Sequence, residues 1–192
     1  QSRKMIYLIK TRRFGDNRGW FTESYSERRF AEHGVSTRFV QDNHSLSRTK
    51  GTLRGLHFQS PPFAQAKLVR CLRGRILDVF VDLRHGSPTF GEYGSVELSG
   101  DNDEQVLVPE GYAHGFLTLE PDTEIMYKVS NFYAPQNDHG IRWDDPAIGI
   151  KWPFVIDPAN LSDKDRKLPL LSEIESPFTY DGKPLTIQHV GP

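Results

Sequence analysis

Ile76-Leu77-Asp78-Val79-Phe80-Val81-Asp82-Leu83 is the stretch on which the fold turns. Val79, Val81 and Leu83 alternate with Asp78, Phe80 and Asp82. A period of two is the mark of a strand, whose successive side chains point to opposite faces. The aliphatic residues therefore share one face, and Asp78 and Asp82 share the other. Arg73-Gly74 precedes the run and Gly86-Ser87-Pro88 follows it, both combinations that turn the chain. Outward from this strand the same pattern recurs at 66–72, 53–59, 38–45, 19–25 and 6–10, and at 93–98, 105–108, 115–119 and 123–132. Ser99-Gly100-Asp101-Asn102 and Pro109-Glu110-Gly111 separate the later runs. Many short strands at regular spacing predict an all-β sandwich or barrel. Two short helices interrupt them. One spans 26–33, with Ser26 as its cap and Gly34 at its end; the other begins at Ser162, whose hydroxyl caps the Asp163-Lys164-Asp165 turn.

The rest of the composition narrows the class. A chain of 192 residues, without internal repeat or linker, reads as one domain, 1–192. The proline-rich stretch from Asp157 is expected to wrap the β core. Gln1 to Lys4 precede Met5, which reads as the natural start, so those four residues are taken as a non-native remnant. A formal net charge of −1 gives no global attraction to nucleic acid or membrane, so any anion must be held by a local basic cluster. No apolar run approaches the roughly 20 residues of a membrane span, and no signal peptide is visible. The single cysteine, Cys71, lies in an apolar alternating run and reads as a buried, inert thiol. It fits a reducing cytoplasm.

Seven histidines could carry chemistry. His33, at a helix end, and His189, in the tail, read as bystanders. No His-x-His occurs, and His57 is followed by Phe58 and Gln59, so a metal site is not expected. In Leu53-Arg54-Gly55-Leu56-His57-Phe58-Gln59 the strand period puts His57 and Gly55 on one face with Leu53 and Gln59, and Arg54 on the other. A histidine amid apolar residues is most often a hydrogen-bonded core residue. Here Gln65, Lys67 and Arg70 follow on the next strand. A lysine within a core-like strand needs an anionic partner, because burying an unpaired charge is costly. His114 lies near a strand mouth. Tyr127 shares a face with Ile125 and Val129, where a tyrosine either packs with a tethered hydroxyl or donates a proton.

In order along the chain stand Asp16-Asn17-Arg18-Gly19, Gln41-Asp42-Asn43-His44-Ser45, Leu53 to Gln59 and Gln65-Ala66-Lys67-Leu68-Val69-Arg70. Asp82-Leu83-Arg84, Ser87-Pro88-Thr89-Phe90-Gly91, Pro109-Glu110-Gly111-Tyr112-Ala113-His114-Gly115-Phe116 and Tyr127-Lys128 come next. Gly140-Ile141-Arg142-Trp143-Asp144-Asp145-Pro146, Trp152-Pro153 and Leu161-Ser162-Asp163-Lys164-Asp165 complete the set. Together they resemble the dTDP-4-dehydrorhamnose 3,5-epimerase family. Each motif is weak alone, but the ordered set covers nearly the whole chain. The resemblance implies a cupin-type jelly-roll β-sandwich with a few short helices, usually a homodimer, acting in the cytoplasm without metal or organic cofactor. It implies a dTDP-linked 4-keto-6-deoxy sugar as substrate, inverted at C3 and C5. His57 matches the general base, Asp165 the carboxylate paired with it, Tyr127 the proton donor, and Lys67 the lysine near the keto oxygen. Asp163, two residues from Asp165, is the alternative partner for the base. Arg18, Glu23, Gln41, Asn43, Arg54, His114 and Lys164 match substrate-binding positions, with Arg18 and Arg54 suited to a pyrophosphate. Tyr133 matches the aromatic that stacks on thymine. The chain departs from the family in one extra residue between Leu46 and Thr52, and in Asp138 where a glutamate often binds nucleotide. A C3-only or C5-only epimerase would keep this set, whereas a non-catalytic sugar-nucleotide-binding cupin would have no use for an opposed acid and base. A metal-dependent cupin would carry the missing His-x-His.

Overall fold

Alternation becomes two facing sheets. In the computed structural model, which describes residues 5–192, the first strands are β1 (Ile6–Lys10), β2 (Arg13–Asp16), β3 (Gly19–Thr22), β4 (Gln41–Ser47) and β5 (Leu53–Gln59). They are followed by β6 (Lys67–Arg73), β7 (Arg75–Asp82), β8 (Arg84–His85), β9 (Tyr93–Ser99) and β10 (Glu104–Val108). β11 (Tyr112–Thr118), β12 (Thr123–Val129), β13 (Asp138–Gly140), β14 (Phe178–Thr179) and β15 (Ile187–Val190) complete the series. The remnant proposed at Gln1 to Lys4 lies outside the described residues. One sheet has the order β15-β1-β10-β6-β12-β4 and the other β13-β5-β11-β7-β9; β2 with β3, and β8 with β14, form two small sheets. Within the two large sheets every pairing is antiparallel except β1 with β15. This is the cupin-type jelly-roll β-sandwich, with α1 (Glu27–Glu32) and α2 (Asp163–Arg166) as its short helices.

The two faces of β7 explain the layers. Ile76 and Phe80 pack with Ile6, Val69, Val106 and Ile125 between the sheets. Val79 and Val81, on the opposite face, pack against Ile141, Ile148 and Phe178, so the later part of the chain wraps the outside of the five-stranded sheet. Asp78 and Asp82 share a face, as the alternation requires, and the structure turns that face inward. Asp82 is saturated there: it accepts from Arg84 Nε (2.9 Å), Arg84 Nη2 (3.0 Å), Ser87 Oγ (2.7 Å) and Thr89 Oγ1 (2.7 Å). Burial alone would raise its pKa, but these bonds hold it below the usual carboxylate range. Arg84 also donates to Tyr112 and Asp181, which ties the C-terminal segment to the core.

Element boundaries differ from the sequence reading at several places, among them β4, expected at 38–45 and found at Gln41–Ser47. The strand expected at 19–25 is one arm of a hairpin whose other arm, β2, the alternation does not reveal because its residues are mostly exposed. Its turn closes where Asp16 pairs Gly19, at φ +139°, a conformation glycine alone adopts without strain. β11 begins at Tyr112, three residues before the expected start, because Gly111 completes the turn at φ +100°. The strand expected at 123–132 ends at Val129. Both helices fall where their caps predict, with Ser26 accepting from the Arg29 N–H and Ser162 from the Asp165 N–H.

Candidate active site

A β-bulge builds the cavity wall. On β11, His114 and Phe116 are two residues apart, yet their partners on β5 are His57 and Arg54, three apart. β5 therefore carries one extra residue at Gly55-Leu56, and the alternation slips there. The consequence corrects the sequence reading: Arg54, expected on the face away from His57, lines the same cavity. Paired glycines allow the close approach. A Cβ on Gly55 would stand 2.7 Å from Gly115 Cα, and one on Gly115 would stand 2.5 Å from the Arg54 carbonyl oxygen. The cavity holds about 350 Å³, and His57, Arg54, Lys67, His114, Tyr127 and Asp165 line it.

His57 is paired to a carboxylate brought from far along the chain. Its Nε2 lies 2.6 Å from Asp165 Oδ1, while Asp165 Oδ2 accepts the Gly55 N–H at 3.0 Å. Asp165 is 4% exposed and sits in the short helix α2. Burial pushes its carboxyl up, but the bonds from His57 and Gly55 prevail and hold it below the usual range, so it is ionised. An ionised carboxylate only accepts, so Nε2 carries the proton and Nδ1 is left as the basic nitrogen. The alternative partner, Asp163, is bound to Arg166 at the surface. The geometry selects Asp165.

The facing wall belongs to the other sheet. Lys67 and Tyr127, on β6 and β12, enter the cavity opposite His57 and His114, on β5 and β11. Desolvation lowers the Lys67 ammonium to about 8, with Asp138 and Asp78 opposing the fall. Below that pH it remains a cation. Burial raises the Tyr127 phenol above its ordinary value, against a hydrogen bond with Asn43 and the charge of Arg54. It therefore keeps its proton at neutral pH.

A second histidine–carboxylate pair lies deeper. His114 Nε2 is 2.7 Å from Asp78 Oδ2, with side-chain exposures of 6% and 0%. Sequence periodicity puts Asp78 on one face with Asp82 but shows neither that this face is inward nor which partner it meets, because the pairing depends on the register of β7 against β11. Burial raises the Asp78 carboxyl, against the attraction of His114 and Lys67.

The remaining expected residues divide into two groups. Around the mouth, Arg54 donates to Ser47 Oγ (3.1 Å) and the Leu46 carbonyl (3.3 Å), both neutral acceptors. Lys164 lines the cavity and pairs with Asp138. Gln41 donates to Asn43 (2.8 Å), Asn43 pairs across from Tyr127, and the Tyr133 N–H reaches Gln41 (3.5 Å). Tyr133 presents its ring to solvent beside Phe132. Gln59, noted in the sequence only as a strand residue, fixes this rim: it donates to the Phe63 and Phe132 carbonyls and accepts from the Ala134 N–H. Arg18 and Glu23 are not brought to the cavity. Arg18 pairs with Asp16 at the tip of the β2–β3 hairpin, and Glu23 with Arg29 of α1. No group of three or more His, Cys, Asp or Glu among the described residues is arranged to hold a metal ion. Nor is any helix there long and apolar enough to cross a membrane.

This arrangement can remove a proton from one side of a bound carbon acid and return one from the other, beside a cation that stabilises the anion between. Comparisons with known proteins agree with it. Residues 4–173 match the family model described as dTDP-4-dehydrorhamnose 3,5-epimerase. The chain is 52% identical over 175 residues to the dTDP-4-dehydrorhamnose 3,5-epimerase of Sinorhizobium fredii, covering 91% of this chain and 89% of that one. It is similar to the solved structure of the Bacillus anthracis enzyme of the same name with TDP and pyrophosphate bound: TM-score 0.81, 52% identity, 85% of this chain and 92% of that chain. It is also similar to the Legionella pneumophila dTDP-6-deoxy-D-glucose-3,5-epimerase in complex with dTDP-4-keto-L-rhamnose: TM-score 0.85, 42% identity, 91% and 93% covered.

Proposed function

The chain belongs to the dTDP-4-dehydrorhamnose 3,5-epimerase family, and on that premise we propose how its cavity divides the work. The enzyme is a nucleotide-sugar epimerase. It converts dTDP-4-keto-6-deoxy-D-glucose to dTDP-4-keto-L-rhamnose by deprotonation and reprotonation at C3 and C5. The C4 ketone acidifies both carbons, because the carbanion formed beside it delocalises into an enolate. Inversion then needs a base on one face of the ring and an acid on the other.

His57 is the base in this reading. Asp165 fixes its tautomer and stabilises the imidazolium that forms. Tyr127, from the facing sheet, returns the proton, and Lys67 offsets the charge growing on the C4 oxygen. Acid–base chemistry accounts for about 10²–10⁴-fold of the acceleration, with enolate stabilisation and positioning adding to it. Arg54 and Lys164 meet the pyrophosphate, His114 the sugar, Gln41 and Asn43 the mouth, and Tyr133 the thymine. The observation that carries the reading is the 2.6 Å His57–Asp165 pair on one wall of a cavity whose other wall holds Lys67 and Tyr127.

Arg18 and Glu23 serve a site only through a homodimer, which belongs to the same proposal. The hairpin holding Arg18 exposes Phe14 (55%), Trp20 (55%) and Phe21 (68%), apolar surface of the kind that a two-fold interface buries. A cytoplasmic location and a single domain over the chain complete the proposal.

Proton NMR in heavy water with dTDP-4-keto-6-deoxyglucose tests it. Wild type should take up deuterium at C3 and C5, and Tyr127→Phe should slow net inversion more than exchange. Exchange at one carbon alone would reduce the enzyme to a single-site epimerase. Tight binding with no exchange would remove the catalytic roles altogether.

A further inference from the structure

Asp78 and Asp82 stand four residues apart on one strand and face the same way, yet their surroundings are opposite. Asp82 spends both oxygens on Arg84, Ser87 and Thr89. Asp78 is equally buried, at 0% exposure, but accepts one hydrogen bond, at Oδ2 from His114 Nε2. Its Oδ1 is one of two buried side-chain nitrogen or oxygen atoms among the described residues without a hydrogen-bond partner. Its neighbours on the inward face of β7 are Ile76 and Phe80, part of the apolar core. A carboxylate there costs stability and the packing does not require it, since an apolar residue would fill the position. Such a residue is kept for what its charge does to the groups around it.

Two such groups line the cavity: His114, bonded to Asp78, and Lys67, which enters from the facing sheet. We infer that Asp78 is a positioning residue for the enolate-stabilising side of the site, holding His114 in one orientation and keeping the Lys67 ammonium charged. This rests on the reading of Lys67 as the cation at the keto oxygen. A lysine walled in by protein loses its proton more readily, and the Lys67 value of about 8 already lies close to working pH. The other charged or titratable groups facing it are His57 and Arg54 on β5, His114 on β11, Tyr127 on β12, Asp138 on β13, and Lys164 and Asp165 on α2. Of the two carboxylates acting on Lys67, Asp138 acts the more strongly but is already paired with Lys164. Asp78 is shared only with His114, which leaves it as the nearer to a dedicated counter-charge. Without it, Lys67 would lose its proton at lower pH and the enolate would form beside a neutral amine.

The test follows the Lys67 side chain directly. In protein labelled with [¹³C]lysine, the Lys67 resonance is the one missing from Lys67→Gln. Its titration midpoint should fall in Asp78→Asn. The high-pH limb of kcat for deuterium exchange should move down with it, while KM changes by less than about threefold. Asp78→Glu should restore part of the limb. If Asp78→Asn does not fold, the reciprocal measurement decides: in Lys67→Gln, the [¹³C]aspartate carboxyl of Asp78 should titrate at higher pH than in wild type. A midpoint that stays in place in either measurement overturns the inference. Both titrations are made without substrate. A wild type that exchanges neither carbon would therefore sink the functional reading and leave the coupling standing, whereas unmoved midpoints alongside normal exchange would remove the role of Asp78 alone.

Discussion

The cavity contains two histidine–aspartate pairs of nearly equal length, 2.6 Å and 2.7 Å, whose histidines face each other across neighbouring strands. Their environments set them apart. The His57 side chain is 31% exposed, and its carboxylate is anchored by a backbone N–H and held below its ordinary pKa. His114 is buried, and its carboxylate keeps a bare oxygen and is pushed above its ordinary pKa. The same two side chains at the same distance thus give an imidazole beside a settled anion in one case, and an imidazole beside a carboxylate with one unmet oxygen in the other. Distance alone assigns no role to such a pair; the remaining lone pairs of the carboxylate do.

The sharpest way to break this distinction is to remove each imidazole. His57→Ala should abolish deuterium exchange at both carbons, a loss of about 10⁴-fold or more. His114→Ala should lose about 10²–10³-fold and retain measurable exchange, because Lys67 still faces the oxygen. Equal losses in the two variants would mean that both histidines abstract protons. Next in size, Asp165→Asn should lower kcat by about 10²–10³-fold with KM nearly unchanged, since the base loses its tautomer and not its place. A rise in KM at constant kcat would instead make Asp165 a substrate anchor.

Melting temperature sharpens the comparison through its sign. The folded-state pKa of Asp165 is depressed, so its contribution is present above its unfolded value near 4 and is lost as pH falls through the folded value. At pH 7, Asp165→Asn should melt roughly 3–8 °C lower than wild type, and the gap should close towards pH 3. The folded-state pKa of Asp78 is raised, so its charge opposes folding at neutral pH and that opposition is relieved as pH falls. Asp78→Asn should melt at the wild-type temperature or up to about 4 °C above it at pH 7, although its activity is impaired. Calorimetry from pH 3 to 8 reads both. Smallest of all, Phe21→Glu at the exposed hairpin should shift sedimentation towards the monomer while leaving the melting of the sandwich within about 2 °C. An unchanged sedimentation profile would count against the dimer proposal.

Much of this was legible in the residues. The alternation at 53–59 gives β5 its bounds, and that at 76–83 gives β7 to within one residue, because burial on both sides of a sandwich enforces the period. Ser162 marks α2, and through it the segment that carries Asp165, because a cap is a local signal. Two features of the site were not local. The slip that turns Arg54 towards His57 comes from one extra residue set against β11, so the period of β5 alone points Arg54 the wrong way. Asp78 was readable only as sharing a face with Asp82; its inward direction comes from the packing of the second sheet, and its partner from a strand pairing that no spacing encodes. Arg18 and Glu23 show the converse case, where family motifs name residues that a single copy of the chain does not bring to its cavity.

His57 and Asp165 stand 108 positions apart. During synthesis β1 to β12 leave the ribosome before α2 exists. A chain interrupted between residues 129 and 163 would therefore carry His57, Lys67 and Tyr127 without the group that sets the tautomer of the imidazole. The complete His57–Asp165 pair is thus a late event in the making of each molecule, and it doubles as a report that α2 has docked.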